Sequence, residues 1–130
     1  MQEAFFHMID FNNAELIKLT PVDETVAKEV KDIFTSDEII VGCYQAIRDY
    51  VVFTNKRLIT INVQGITGKK KDFTSLPYTR IQAFSIETAG VLDLDSELEL
   101  WFAGMGKITL EFSGKSNIKA IGKYISDMVL

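Results

Sequence analysis

Downstream of Ser36-Asp37, apolar and polar residues alternate with a period of two, and turn-forming residues interrupt the alternation at short intervals. Successive side chains of an extended chain point to opposite faces, so this spacing predicts half-buried strands. Seven are expected: Glu38–Ile47, Tyr50–Asn55, Arg57–Gln64, Lys69–Ser75, Arg80–Thr88, Ser96–Ala103 and Lys107–Ser113. The alternation is cleanest where Ile59/Ile61/Val63, Leu98/Leu100/Phe102 and Ile108/Leu110/Phe112 each share a face. Thr60 and Asn62, Glu97 and Glu99, and Lys107, Thr109 and Glu111 then belong to opposite, solvated faces. Gly65 and Gly68, Leu76-Pro77, Gly90 and Gly104-Met105-Gly106 supply the turns.

At both ends the apolar spacing lengthens to that of a helix. Ser116 is placed to cap a C-terminal helix whose stripe is Ile118, Ile121, Ile125 and Met128. Gly122 lies on this stripe at a cost of about 1 kcal/mol relative to alanine. It is either tolerated there or marks a close approach of helix to sheet. Near the N-terminus, Thr20-Pro21 offers a cap followed by proline at the first helical position, with Asp23 and Glu24 where the helix dipole favours acids. Val22, Val26, Val30 and Ile33 should form its buried face. Asn13 is placed to cap a shorter helix carrying Leu16, Ile17 and Leu19. Phe5, Phe6, Met8, Ile9 and Phe11 make the first segment more apolar than a loose tail, and it should pack on its own domain or on a neighbouring subunit. Without a βαβ alternation the order predicts one mainly β (α+β) domain. Residues 1–36 would be a helical extension, and residues 37–130 an antiparallel barrel or sandwich plugged by the final helix.

Composition narrows the function. A chain of 130 residues that is 47% hydrophobic and 25% charged has the make-up of a soluble globular domain. A net charge of −4 argues against general nucleic-acid binding, which needs a basic face. The single cysteine, Cys43, cannot form an intramolecular disulfide and suits a reducing compartment. The first residues lack a basic n-region, and no apolar run approaches the roughly 20 residues that cross a bilayer, so a cytoplasmic protein is expected.

Catalytic chemistry is hard to assemble from these residues. His7, the sole histidine, lies in the apolar N-terminal segment, and Cys43 sits within an apolar strand that suggests a structural thiol. Neither a nucleophile elbow nor a glycine-rich phosphate loop is present. Asp93, Asp95 and Glu97 stand at i, i+2 and i+4, a spacing open to calcium or magnesium. No glycine-turned ligand loop accompanies them and Glu99 continues the pattern, as in a solvated strand face. No enzyme activity, metal or cofactor is expected.

Several ordered blocks carry a family resemblance: Asp49-Tyr50-Val51-Val52-Phe53-Thr54-Asn55-Lys56-Arg57-Leu58-Ile59, Gln64-Gly65-Ile66-Thr67-Gly68-Lys69-Lys70, Leu76-Pro77-Tyr78-Thr79-Arg80-Ile81, and Glu87 through Leu98. With the flanking helices they cover nearly all of the chain beyond about Thr20, and it resembles the bacterial pleckstrin-homology (PH) domain family of small stand-alone proteins. The resemblance implies a PH-like barrel of seven antiparallel strands capped by a helix, and a homo-oligomer, ring-like in form, that binds a protein partner. Compatible with an oligomer interface are Phe5, Phe6, Tyr44 on a first strand apolar on both faces (Ile39, Ile40, Val41), and Trp101 opposite Leu100 and Phe102. Many PH domains hold inositol phosphates on a long, basic first hairpin loop. Here two residues connect those strands, so membrane binding should be weak or absent. The alternative is an anion site on the rim formed by Arg48, Lys69, Lys70 and Lys107, where nearby glycines let backbone N–H groups turn toward an anion.

Overall fold

The alternation beyond residue 36 is realised as strands. In the computed structural model, which describes residues 14–130 apart from Arg48, Asp93 and Lys115, the chain forms β1 (Ala14–Pro21), β2 (Ile40–Ala46), β3 (Asp49–Thr54), β4 (Arg57–Gln64), β5 (Lys70–Pro77), β6 (Ile81–Glu87), β7 (Ser96–Phe102) and β8 (Gly106–Phe112). A helix, α1 (Ile118–Val129), ends the order. Seven of these strands match the expected ones to within a few residues. Phe5, Phe6 and His7 lie outside the described residues. The described chain divides into two units, one of residues 21–77 and one of residues 14–20 with 78–130.

In the first unit, β2 to β5 form an antiparallel meander in which Cys43 opposes Val52, Val52 opposes Ile59, and Tyr50 opposes Ile61. Cys43, Val52, Ile59 and Ile61 form one buried cluster with Ala27 and Val30 of a 3-10 helix, Glu24–Ile33. The helix starts later than expected: Pro21 ends β1, and the Asp23 carboxylate caps the helix by accepting a 2.9 Å bond from Thr25 N–H. Three residues per turn, not 3.6, explain which side chains face inward. Ala27 and Val30 are buried at a spacing of three, whereas Val26 is turned out to 50% exposure and Ile33 is exposed. The expected valine face is therefore corrected. So is the solvated face of β4, because Leu58, Ile59, Thr60 and Ile61 are all buried.

In the second unit, β6, β7 and β8 are antiparallel and β1 runs parallel to β8. The expected short helix around Leu16, Ile17 and Leu19 is instead β1, an eighth strand. Leu16 opposes Leu110 and Leu19 opposes Phe112, so three steps on β1 match two on β8. Lys18, at φ +57°, takes up the extra residue as a bulge. The bulge returns Leu16 and Leu19 to one buried side, mimicking the i, i+3 spacing of a helix.

Asn117, not Ser116, caps α1: its Oδ1 accepts from Ala120 N–H at 3.2 Å. The Ser116 hydroxyl is buried without a hydrogen-bond partner among the described residues. The buried stripe is Ile118, Gly122 and Ile125, with Ile121 at its margin and Met128 exposed. Gly122 marks a close approach. A Cβ there would lie 1.9 Å from Cδ1 and 3.1 Å from Cγ1 of Ile86 on β6. Gly122→Leu should therefore cost about 2–3 kcal/mol in chemical denaturation, as overpacked cores do. Ile86→Ala in the same chain should restore part of that loss, giving a non-additive double-mutant cycle. Strictly additive costs would show that the helix does not seat on Ile86.

Candidate functional site

The first block of the resemblance, Asp49 to Ile59, carries a structural clasp around Thr54 and Arg57. At the β3–β4 turn the Thr54 hydroxyl accepts from the N–H groups of Lys56 and Arg57, each at 3.0 Å, and donates to Glu38 Oε2 at 2.7 Å. Arg57 grips the same carboxylate with two bonds of 2.8 Å, Nε to Oε2 and Nη2 to Oε1. Its remaining donors reach Ser75 Oγ at 2.9 Å and Ile33 O at 2.8 Å. Thr35 N–H adds a bond of 3.1 Å to Glu38 Oε1. The Glu38 side chain is 0% exposed. Burial pushes its carboxyl upward, but the bonds from Arg57 and Thr54 outweigh this and hold it below the usual carboxylate range. Asn55 ties the strand before β2 to the turn, its Oδ1 accepting from Ile39 N–H and its Nδ2 donating to Asp37 O. Lys56 pairs with Asp37. Every named side chain has a partner inside the unit, so the clasp holds the fold.

A cleft of about 480 Å³ opens in the first unit between the helix, the β2–β3 hairpin and the β4–β5 connection. Val26, Gln45, Ile47, Tyr50, Ile66 and Lys71 line it. Ala46 pairs with Asp49, so the hairpin connection is two residues long as expected but starts one position earlier, at Ile47. Ile47 is 91% exposed and sits at φ +50°, a left-handed conformation that β-branched residues avoid. Gln45 supports this turn by donating to Ile47 O at 3.3 Å and Tyr50 Oη at 3.2 Å. Ile66 is fully exposed in the β4–β5 connection, where Gly65 and Gly68 take positive φ. Ile47→Asn should raise stability by about 1 kcal/mol, because asparagine tolerates the left-handed region. A thermal melt with no gain, or a loss, would show that the turn is not strained.

The proposed rim residues have separate settings. Lys69 and Lys70 are exposed at the start of β5, and neither pairs with a described carboxylate. Arg48 lies outside the described residues. Lys107 is engaged in the second unit, 3.0 Å from Glu99 Oε2 and 6.0 Å from the centre of the Trp101 ring. Trp101 is half-buried beneath it. Tyr44, half-buried on β2, stacks edge-to-face on Phe53 at 5.9 Å. The second unit also carries an aliphatic loop between β6 and β7, with Val91 94% and Leu92 98% exposed and Leu94 exposed beside them.

Cys43 is buried. Desolvation, then the nearby Glu24 and Asp23 carboxylates, push its thiol up to about 11, so it stays protonated at neutral pH. Among the described residues, no group of His, Cys, Asp or Glu side chains is placed to hold a metal ion, and no helix is long and apolar enough to cross a membrane.

A family model described as bacterial PH domain matches residues 10–129. The chain belongs to the bacterial PH domain family. The chain is similar to two Bacillus subtilis proteins: the uncharacterized protein YjqA, 42% identical over 78% of this chain and 82% of that protein, and the uncharacterized protein YozO, 32% identical over 75% and 83%. A crystal structure from Shewanella loihica, described as having a pleckstrin-homology domain, superposes with a TM-score of 0.75 at 39% identity, covering 88% of this chain and 99% of that one. The pleckstrin homology domain from Shewanella amazonensis gives 0.62 at 40% identity, over 84% and 90%. The mainly antiparallel, helix-ended PH-like fold follows from these matches.

For this bacterial PH domain, the sequence singled out Lys69, Lys70 and Lys107 as a candidate rim and passed over Ile47, Ile66, Val91 and Leu92, which are exposed. A signal was available in the chain. Turns normally draw on polar residues and glycine, and here aliphatic residues occupy them.

Proposed function

We propose that this bacterial PH domain is a non-enzymatic module that self-assembles into a closed homo-oligomer and mediates protein–protein contact. One observation carries the reading: Ile47, Ile66, Val91 and Leu92 stand more than nine-tenths exposed at loop tips. Single apolar residues on a surface are ordinary, but aliphatic tips grouped in pairs are a feature of contact surfaces. Ile39 and Val41, exposed at the start of β2, add to the apolar excess. The buried, protonated Cys43 and the internally satisfied Glu38–Arg57 pair offer no reactive group, in keeping with a binding role. Multi-angle light scattering is the test. The expected mass is a discrete multiple of the 14.7 kDa protomer, retained at moderate salt because the contact is apolar. A protomer mass at every concentration would end this reading.

Exposed Lys69 and Lys70, neither in an ion pair with a described carboxylate, favour a second reading as an adaptor for anions or lipid head groups. It requires salt-sensitive binding to anionic vesicles.

A further inference from the structure

The core does not account for Val26, which the 3-10 helix turns out to half exposure. Val26 instead forms one wall of the 480 Å³ cleft of the first unit, and Ile47, Tyr50, Val63 and Ile66 are its other apolar walls. Among the described lining residues, Lys71 alone is ionised. Its ammonium pairs with Glu29, whose side chain is 58% exposed against 28% for Lys71. Glu29 does not line the cleft. It lines a smaller void that shares Val26, Tyr50 and Lys71 with the cleft, so Lys71 borders both spaces and its carboxylate partner only one.

We propose that this cleft binds a free aliphatic carboxylate, its chain against Val26, Tyr50, Val63 and Ile66 and its head on the Lys71 ammonium. The lining selects this class of ligand. Small-molecule sites span about 300–1,000 Å³, a range that includes this cleft. Aliphatic walls favour an apolar chain, and one ammonium matches one negative charge. A multiply phosphorylated head group would bring several charges to a single lysine. The resident ion pair is partly exposed and adds little to stability, so a ligand can take Lys71 from Glu29 at small cost. The site goes beyond the self-assembly reading and does not depend on it: a chain of protomer mass that binds the carboxylate leaves it intact.

Isothermal titration of the full chain with octanoate, kept below its micelle concentration, tests the site. Saturable binding of one octanoate per chain is expected. Acetate, a head without the chain, and octanol, a chain without the head, should each bind at least tenfold more weakly. Lys71→Met should weaken octanoate binding at least tenfold. Glu29→Gln should strengthen it about twofold to fivefold, because the resident carboxylate no longer competes for the ammonium. A purely structural Lys71–Glu29 pair would move both variants in the same direction. Ile66→Asp, at a fully exposed position where folding is not at stake, should weaken binding at least tenfold. Lys69→Gln/Lys70→Gln removes two charges that do not line the cleft and should change the affinity less than threefold. Absence of saturable octanoate binding to the wild-type chain would overturn the proposal. So would a Glu29→Gln chain that binds no more tightly than wild type, or a loss in Lys69→Gln/Lys70→Gln equal to that in Lys71→Met, the mark of diffuse attraction. Lys71-dependent pelleting with phosphatidylglycerol vesicles, without octanoate binding, would equally overturn it, for the cleft would then face a head group held in a bilayer.

Discussion

Replacing Arg57 with alanine is expected to destabilise the protein by about 3–5 kcal/mol, the cost of leaving a buried charge without its partner. Glu38, 0% exposed in the intact pair, would have both oxygens stripped of their guanidinium bonds, while Ser75 Oγ and Ile33 O would lose a donor. Arg57→Lys should recover little, since an ammonium cannot span the carboxylate, a hydroxyl and a carbonyl that the planar guanidinium reaches together. Buried ion pairs can often be exchanged for apolar residues without loss, but here the exchange should fail. Glu38 also accepts from Thr35 N–H and the Thr54 hydroxyl, and an apolar substitute would orphan the first and leave the second only its 3.1 Å bond to Arg57 O. Urea titration of Arg57→Ala, Arg57→Lys and a Glu38→Leu/Arg57→Met double variant checks the series. A double variant as stable as wild type would show that the clasp is dispensable.

The same clasp sets part of the acid limit. The carboxyl of Glu38 is held below its ordinary value of 4.5 in the folded chain, so its contribution to stability is fully present above that pH. The contribution is lost as the pH falls through the lowered folded value. Asp37, held below its ordinary 3.8 by its bond to Lys56, loses its share as the pH falls through its own lowered value. A Glu38→Gln chain should start less stable at neutral pH and lose less on acidification than wild type.

Seven strands were legible in the sequence because a sheet turns alternation into burial directly, and because glycines and prolines stop most of the later runs. What escaped were the places where the backbone breaks the period. A bulge at Lys18 spaced Leu16 and Leu19 three apart, and a 3-10 helix moved the buried face from Val26 to Ala27. The Asp49–Ile59 block stood out in the sequence, but its role in holding Glu38 did not. The carboxylate that it clasps lies 19 residues before Arg57, beyond any local pattern. Gly122 was half legible: its place on an apolar stripe raised the question that the Ile86 contact answers.

The bulged strand β1 gives a prediction whose sign separates strand from helix. Leu19 is fully buried and its carbonyl accepts from Ser113 N–H at 2.9 Å, so Leu19→Ala should cost about 3 kcal/mol and lower the melting temperature by about 10 °C. That loss alone would fit a buried helix as well. Its neighbour Lys18 decides between them. In a helix, Lys18→Gly would be unfavourable by somewhat under 1 kcal/mol, because glycine is the poorer helix former. In the left-handed bulge, at φ +57° and exposed to solvent, glycine relieves the steric penalty of a Cβ and should stabilise by about 0.5–1 kcal/mol. Adjacent substitutions should therefore shift the denaturation midpoint in opposite directions. If Lys18→Gly destabilises instead, the parallel pairing of β1 with β8 cannot be the arrangement that buries Leu19.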